Sequence, residues 1–208
     1  MLAGSFLERS YRKALHRFVV NCLAAYPIRP DWITGAGLAV CGVAGALAPW
    51  SPAVAGLLLL VAGFLDTLDG ELSRATGQAS PAGALLDSTL DRYAEFAALA
   101  GAWGRLSRLG HAGGSALLAF AALQGSLMVS YARARAESLG VQVRGGFFER
   151  AERVLVLAAG LLASPFDGTA GLPEGSFLAA ALVVLAIGAN ATALGRTVRA
   201  RRALSSPK

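Results

Sequence analysis

The sequence predicts an all-α integral membrane protein, six transmembrane helices behind an N-terminal amphipathic surface helix. Composition is the first observation behind this: of 208 residues, 55% are hydrophobic and 15% charged. A soluble domain runs nearer ~45–50% apolar and ~25% charged. Second, apolar segments of membrane-spanning character recur along the chain. Third, most of the cations fall in short blocks between those segments. The length suits one domain over 1–208, with a juxtamembrane helix at 1–30, a six-helix core at 31–198 and a frayed tail at 199–208.

The first element is a stripe of Leu7, Tyr11, Leu15, Phe18, Cys22 and Tyr26 at helical spacing, with basic residues between. That pattern suits a helix lying on a membrane surface. Glu8, Arg9, Arg12, Lys13 and Arg17 occupy the places a signal peptide would fill with apolar residues, so none is expected. Pro27 and Pro30 end the stripe.

A span needs about 20 residues to cross a hydrocarbon core of about 30 Å. The expected spans run from about Trp32 to Ala48, from Pro52 through LLLLVAGFL into Asp66, and from Ala82 to Trp103. The next three run from Gly113 to Tyr131, from Val154 to Ala163 with a charged turn extending its start, and from Phe177 to Leu194. Trp32, Trp50 and Trp103 fall near span ends, where interfacial belts form. Asn190, inside the last span, is expected to make a polar interhelix contact. The small residues of GAGLAVCGVAGA suit close helix packing, within the chain or between two copies.

The net charge of +6 comes from 17 Arg and two Lys against 13 acids. A basic balance can signal nucleic acid, but here the cations lie in three blocks. They are Arg9 to Arg29, Arg133 to Arg153, and Arg196 to Lys208. The connections on the other side hold only Arg105 and Arg108. That is the positive-inside bias. It predicts a multi-pass cell-membrane protein with both termini, and the connection between spans two and three, in the cytoplasm, and no nucleic-acid partner. Cys22 and Cys41 form no metal or disulfide pattern and are expected to be buried thiols.

Spans two and three contain charges that membrane helices avoid: Asp66, Asp69, Glu71, Arg74, Asp87, Asp91, Arg92 and Glu95. Ionisable groups at membrane depth are costly and mark functional sites. Asp66 and Asp69 are three apart and Asp87 and Asp91 four apart, so each pair shares a helix face. Antiparallel packing of the two helices would bring all four carboxylates together. Such a cluster is stable only if protonated or bridged by cations, and for the latter oxygen ligands suit Mg²⁺ or Mn²⁺. Hard dications commonly complete their shell with substrate phosphates. Gly70 and Gly83 leave room beside the acids, and Arg74, one turn past Gly70, can meet a phosphate. Pairing of the acids with Arg74 and Arg92 as packing contacts, a scaffold role and a small cation-coupled transporter are the competing readings. The acids cluster near one membrane face, and no pair of broken helices falls in matching halves, which argues against transport.

The run Asp66-Thr-Leu-Asp69-Gly70-Glu-Leu-Ser73-Arg74, followed by Gly83, Asp87 and Asp91, closely resembles the signature of the CDP-alcohol phosphatidyltransferases. That signature reads DxxDGxxAR, about eight residues, then GxxxDxxxD. Ser73 is the one departure, standing where the family has Ala. The entry RPDWIT, Arg29 to Thr34, is similar to the Pro-Asn/Asp-x-x-Thr that opens the family's first span. The resemblance implies six transmembrane helices around a cytoplasm-facing cavity, a homodimer, and transfer of a substituted phosphate from a CDP-linked donor to an alcohol with release of CMP. It implies that Asp66, Asp69 and Asp87 hold one or two Mg²⁺ or Mn²⁺ ions, and that Asp91 completes the site and serves as general base. It also implies that Thr34, Asp66, Gly70, Ser73 and Arg74 line the CMP site, with Pro30 and Asp31 at its edge and Gly83 structural. The donor would be CDP-diacylglycerol or a similar CDP-lipid, handled in the bilayer.

SYARARAESLG and VRGGFFERAER supply Arg133, Arg135, Arg144, Arg150 and Arg153 beside the acids. Each could simply anchor the chain to anionic lipid, yet together they suit an anionic, phosphorylated polyol. This region resembles the phosphatidylinositol-phosphate synthase branch, which carries Tyr-x-Lys-Ala-Arg-Ala-Glu and Glu-Arg-x-Glu-Arg elements. Arg133 here replaces the Lys. The resemblance implies Arg133, Arg135 and Arg153 as acceptor residues and inositol 1-phosphate as acceptor. Glycerol 3-phosphate, the acceptor of a phosphatidylglycerophosphate synthase, would need similar charges.

Overall fold

The computed structural model describes residues 17, 19, 22, 26, 28–143 and 145–205. Six helices occupy them: α1 (Pro30–Leu47), α2 (Pro52–Ala75), α3 (Pro81–Arg108), α4 (Ala112–Ser138), α5 (Arg150–Ala163) and α6 (Ser176–Ser205). Every apolar segment seen in the sequence is a helix, and α5 includes the charged turn before Val154.

The starts of α1, α2 and α3 each use a proline, whose missing N–H costs nothing in the first turn. Ser80 caps α3 by accepting from the Gly83 amide at 3.1 Å. After α2 the chain turns at Gly77, whose φ of +68° suits glycine.

The helices close into a ring. α1 packs on α2 and α3, α2 on α5, α5 on α6, α6 on α4, and α4 on α3. Thus α1 lies between α2 and α3, and the acid-bearing faces of those two helices meet across the interior rather than along a shared seam. Small residues permit the tight crossings: a Cβ on Gly45 of α1 would fall on the Ala97 carbonyl of α3. That part of the small-residue stripe therefore packs within the chain. Asn190 of α6 donates to the Ala121 carbonyl of α4 at 2.9 Å, the interhelix contact expected of it.

Ala44, Leu59, Ala98, Leu106, Leu161 and Leu182 are among the buried side chains, while Leu57, Phe64, Leu117, Phe120, Ile187 and Leu194 are exposed. Large apolar side chains outside and small ones at the crossings are the pattern of a bundle surrounded by lipid. Four helices, α1, α2, α4 and α6, are long and apolar enough to cross a membrane. α3 is long but carries Asp87, Asp91, Arg92 and Glu95, and α5 has 14 residues, about 21 Å of helix.

Two expectations need correction. Residues 199–205, read as a frayed tail, continue α6 to Ser205. Ala200 is buried there with Ala136 and Val143, and basic side chains favour a helix C-terminus. Cys41 is buried, but Cys22 is exposed, because it lies outside the ring that encloses Cys41. Most of the expected surface helix falls outside the described residues. Of its stripe, Cys22 and Tyr26 are exposed. Val19, off the stripe, is buried against Leu68 and Leu72.

Candidate active site

All six helices line one cavity of about 770 Å³, open space at its mouth included. Its deep part is apolar, with Cys41, Leu59, Leu99 and Leu185. Its mouth carries Thr34, Asp66, Asp69, Asp91, Glu95, Arg150 and Arg153. The polar residues come from α1, α2, α3 and α5, so closure of the ring assembles them.

α2 supplies Asp66 and Asp69 one turn apart, and α3 supplies Asp87. Ligand oxygens of the three lie within 4.8 Å of one another. Thr34 of α1 holds Asp69, with Oγ1 at 2.5 Å from Oδ2. Asp87 Oδ1 is buried with no hydrogen-bond partner among the described residues. Three converging carboxylates and an orphaned oxygen form a donor set that fits a hard dication.

Asp91, the fourth acid expected here, shares an arginine with Asp66 of the trio. It lies one turn deeper on α3, where Arg150 Nη1 contacts its Oδ1 and Arg92 Nη2 is 3.6 Å from its Oδ2. The same Arg150 nitrogen is 2.5 Å from Asp66 Oδ1, so one guanidinium bridges α2 and α3 from α5. Arg92 does pair with an acid, as the packing alternative supposed, whereas Arg74 pairs with Glu71 at 2.9 Å.

The other expected residues take varied places. Arg74 is exposed and folds back over Gly70: a Cβ there would lie 3.5 Å from Arg74 Nη1. Ser73 Oγ donates to the Gly70 carbonyl at 3.2 Å. A Cβ on Gly83 would lie 3.3 Å from Ser80 Oγ and 3.7 Å from Asp31 Oδ1, so the start of α3 lies beside the start of α1. Pro30 begins α1, its carbonyl 3.2 Å from Thr34 Oγ1. Arg153 is buried. Its Nε donates to Glu95 Oε1 at 2.9 Å, Nη2 contacts the same oxygen, and Nη1 donates to the Phe148 carbonyl at 2.9 Å. Arg133 and Arg135 are exposed near the end of α4 and outside the cavity lining, and Arg133 pairs with Glu137 at 2.9 Å.

Sequence reasoning gave no role to Glu95 and did not pair Arg150 with the acids. Glu95 continues the α3 face of Asp87 and Asp91 by one more turn and receives both Arg153 and Arg92, the latter at 3.0 Å. That spacing was a readable signal. The partner of Arg150 was not, because 84 residues separate it from Asp66.

Comparison with known proteins agrees with this geometry. The profile of the CDP-alcohol phosphatidyltransferases matches residues 28–193. The chain is 36% identical over 177 residues to an archaetidylinositol phosphate synthase of Methanothermobacter thermautotrophicus, covering 85% of each. It is 34% identical over 218 aligned residues to a phosphatidylinositol phosphate synthase of Streptomyces avermitilis, covering 96% of this chain and 84% of the relative. The crystal structure of Mycobacterium tuberculosis phosphatidylinositol phosphate synthase with CDP-DAG bound superposes with a TM-score of 0.75. Identity there is 25%, over 91% of this chain and 92% of that one. A profile match that spans the acid-bearing α2 and α3, joined to full-length relatives and a shared fold, establishes that the chain belongs to the CDP-alcohol phosphatidyltransferase family, enzymes that transfer substituted phosphate groups.

Proposed function

We propose that this enzyme transfers a phosphatidyl group from CDP-diacylglycerol, or a similar CDP-lipid, to a hydroxyl of inositol 1-phosphate, releasing CMP. The observation that carries the reading is the cavity lining, where Asp66 and Asp69 of the carboxylate trio lie with Arg150, which contacts Asp66, and with Arg153. An acid trio suits metal-held diphosphate, and arginines suit a phosphorylated acceptor. The relatives named as inositol-phosphate-type synthases support the same acceptor. Because one relative is named an archaetidylinositol phosphate synthase, the donor's lipid tails stay within the wider class of CDP-lipids.

In this reading Asp66, Asp69 and Asp87 hold one or two Mg²⁺ or Mn²⁺ ions, with Asp91 completing the site. When bound, the ions neutralise charge on the diphosphate and on departing CMP. Thr34 orients Asp69. Gly70, Ser73 and Arg74 flank the cytidine nucleotide, with Pro30 and Asp31 at its edge and Gly83 beside Asp31 as a structural residue. Arg153, with Arg150 beside it, receives the acceptor phosphate. The acceptor hydroxyl attacks the phosphorus that bears the lipid, the bond to CMP breaks in line, and Asp91 takes the hydroxyl proton. Arg133 and Arg135, exposed beyond the cavity, draw the anionic acceptor toward it.

The setting belongs to the proposal too. The chain acts as one domain with six spans, α3 and α5 completing the set, as a homodimer in the cell membrane. Both termini and the cavity mouth face the cytoplasm, in keeping with the cation blocks.

The test is CMP release by purified protein with CDP-diacylglycerol and Mg²⁺, offered inositol 1-phosphate, inositol, glycerol 3-phosphate or serine separately. Release with inositol 1-phosphate alone supports the reading. Release with glycerol 3-phosphate alone moves the enzyme to phosphatidylglycerophosphate synthesis. Cation transport without CMP release contradicts both.

A further inference from the structure

The two arginines that line the cavity are held in different ways. The Arg153 side chain is 6% exposed and is fixed from two directions, by Glu95 of α3 and by the Phe148 carbonyl. Arg150 is the first residue of α5, and its side chain is 26% exposed. Among the described residues, its guanidinium has two carboxylates as its only polar partners. Nη1 is 2.5 Å from Asp66 Oδ1 and contacts Asp91 Oδ1. No backbone carbonyl pins it. An arginine side chain has many rotamers, so this one can leave both oxygens without disturbing the helices around it.

Asp66 belongs to the trio whose oxygens fit a hard dication. The other two members are not engaged by an arginine in this way. Asp69 accepts from the Thr34 hydroxyl, and Asp87 Oδ1 has no hydrogen-bond partner among the described residues. A guanidinium and a dication on the Asp66 carboxylate are two ways of neutralising one charge. Held there together, they repel each other. Asp91, which completes the metal site in the reading above, is engaged by the same nitrogen of Arg150.

We propose that Arg150 is a built-in competitor of the metal ion: its guanidinium holds Asp66 and Asp91, and a dication must displace it to take them. Such a competitor keeps neighbouring carboxylates neutralised when no ion is bound, and it makes the metal site weaker than its oxygens alone would make it. It also ties the start of α5 to the occupancy of a site on α2 and α3. The inference rests on the reading of Asp66, Asp69 and Asp87 as metal ligands.

Arg150→Gln and Arg150→Lys test it, with Arg92→Gln and Asp69→Asn for comparison. Mn²⁺ is titrated into the full chain without substrate, and free Mn²⁺ is read by electron paramagnetic resonance. The unfolding temperature is measured in EDTA and in Mn²⁺. Arg150→Gln is expected to bind Mn²⁺ about 10-fold more tightly, the weight of one hydrogen bond to a charged group. Its unfolding temperature should rise further than that of wild type when Mn²⁺ replaces EDTA. Arg150→Lys keeps the charge on a differently shaped head and should tighten binding by less; it decides the question if Arg150→Gln does not fold. Arg92 pairs with Asp91 and Glu95 rather than with the trio, so Arg92→Gln should change Mn²⁺ affinity far less. Equal tightening in Arg92→Gln and Arg150→Gln overturns the inference, because loss of any nearby charge would then suffice. If Asp69→Asn weakens Mn²⁺ binding and the Arg150 variants bind it no more tightly than wild type, the inference alone fails. If Asp69→Asn leaves Mn²⁺ binding unchanged, the trio is not the metal site and the inference falls with that reading.

Discussion

On the acid side of the cavity, helix period places the side chains on shared faces. Asp66 and Asp69 lie one turn apart on α2, Asp87 and Asp91 one turn apart on α3, and three of the four meet within 4.8 Å. On the basic side, the acids that hold Arg150 and Arg153 are distant in sequence. Arg153 is held by Glu95, 58 residues earlier, and Arg150 by Asp66, 84 residues earlier. The acid side is thus a property of two helices, whereas the basic side exists only once the ring has closed. Damage on the acid side should therefore act on chemistry with little change in fold. Damage on the basic side should act on fold and acceptor recognition together.

The largest expected effect is at Asp91. Asp91→Asn should lower turnover by about 10²–10⁴-fold, the usual contribution of a general base. The Asp66, Asp69 and Asp87 carboxylates remain, so Mn²⁺ binding, followed by electron paramagnetic resonance, should be largely kept. Asp69→Asn should weaken Mn²⁺ and donor binding together. Equal loss of donor binding in the two variants contradicts this division of roles.

Next is Glu95. Its side chain is 10% exposed and that of Arg153 6%, so Glu95→Ala leaves a buried guanidinium without its carboxylate. Breaking a buried pair costs about 3–5 kcal/mol. The variant should unfold at distinctly lower denaturant than wild type, while Asp87→Asn should not. Similar midpoints for the two would erase the contrast between the sides.

Arg133→Ala should have the smallest effect. Arg133 and Glu137 are exposed at 59% and 47%, and such pairs contribute about 0.3–0.5 kcal/mol. If Arg133 steers the acceptor, kcat/KM for inositol 1-phosphate should fall by less than about tenfold, and the deficit should vanish at 1 M salt. A salt-independent deficit would mean direct contact with the acceptor.

The same contrast explains what could be read from the sequence. Helix period gives Asp66, Asp69, Asp87 and Asp91 their shared faces, and proline positions mark the starts of α1, α2 and α3, so the helices and the acid site were legible. The arginine that Asp66 and Asp91 share was not legible, because Arg150 comes from α5. The fate of Arg133, Arg135 and Arg153 was equally hidden. They look alike in sequence, yet one is buried against Glu95 and two are exposed. The placement of α1 between α2 and α3 was also beyond pattern reading, because it depends on backbone contact at Gly45 and Ala97. The continuation of α6 through residues 199–205 follows from burial of Ala200, again a tertiary contact.

The central claim is a division of labour across one cavity, with metal and donor on the carboxylate side and acceptor on the arginine side. The most direct measurement is a pair of saturation curves, for CDP-diacylglycerol and for inositol 1-phosphate, on Asp69→Asn and on Arg153→Ala. The account predicts a crossed pattern: Asp69→Asn raises the donor KM and spares the acceptor, and Arg153→Ala does the reverse. If both variants raise the same KM, or Arg153→Ala leaves the acceptor KM unchanged, the division does not exist.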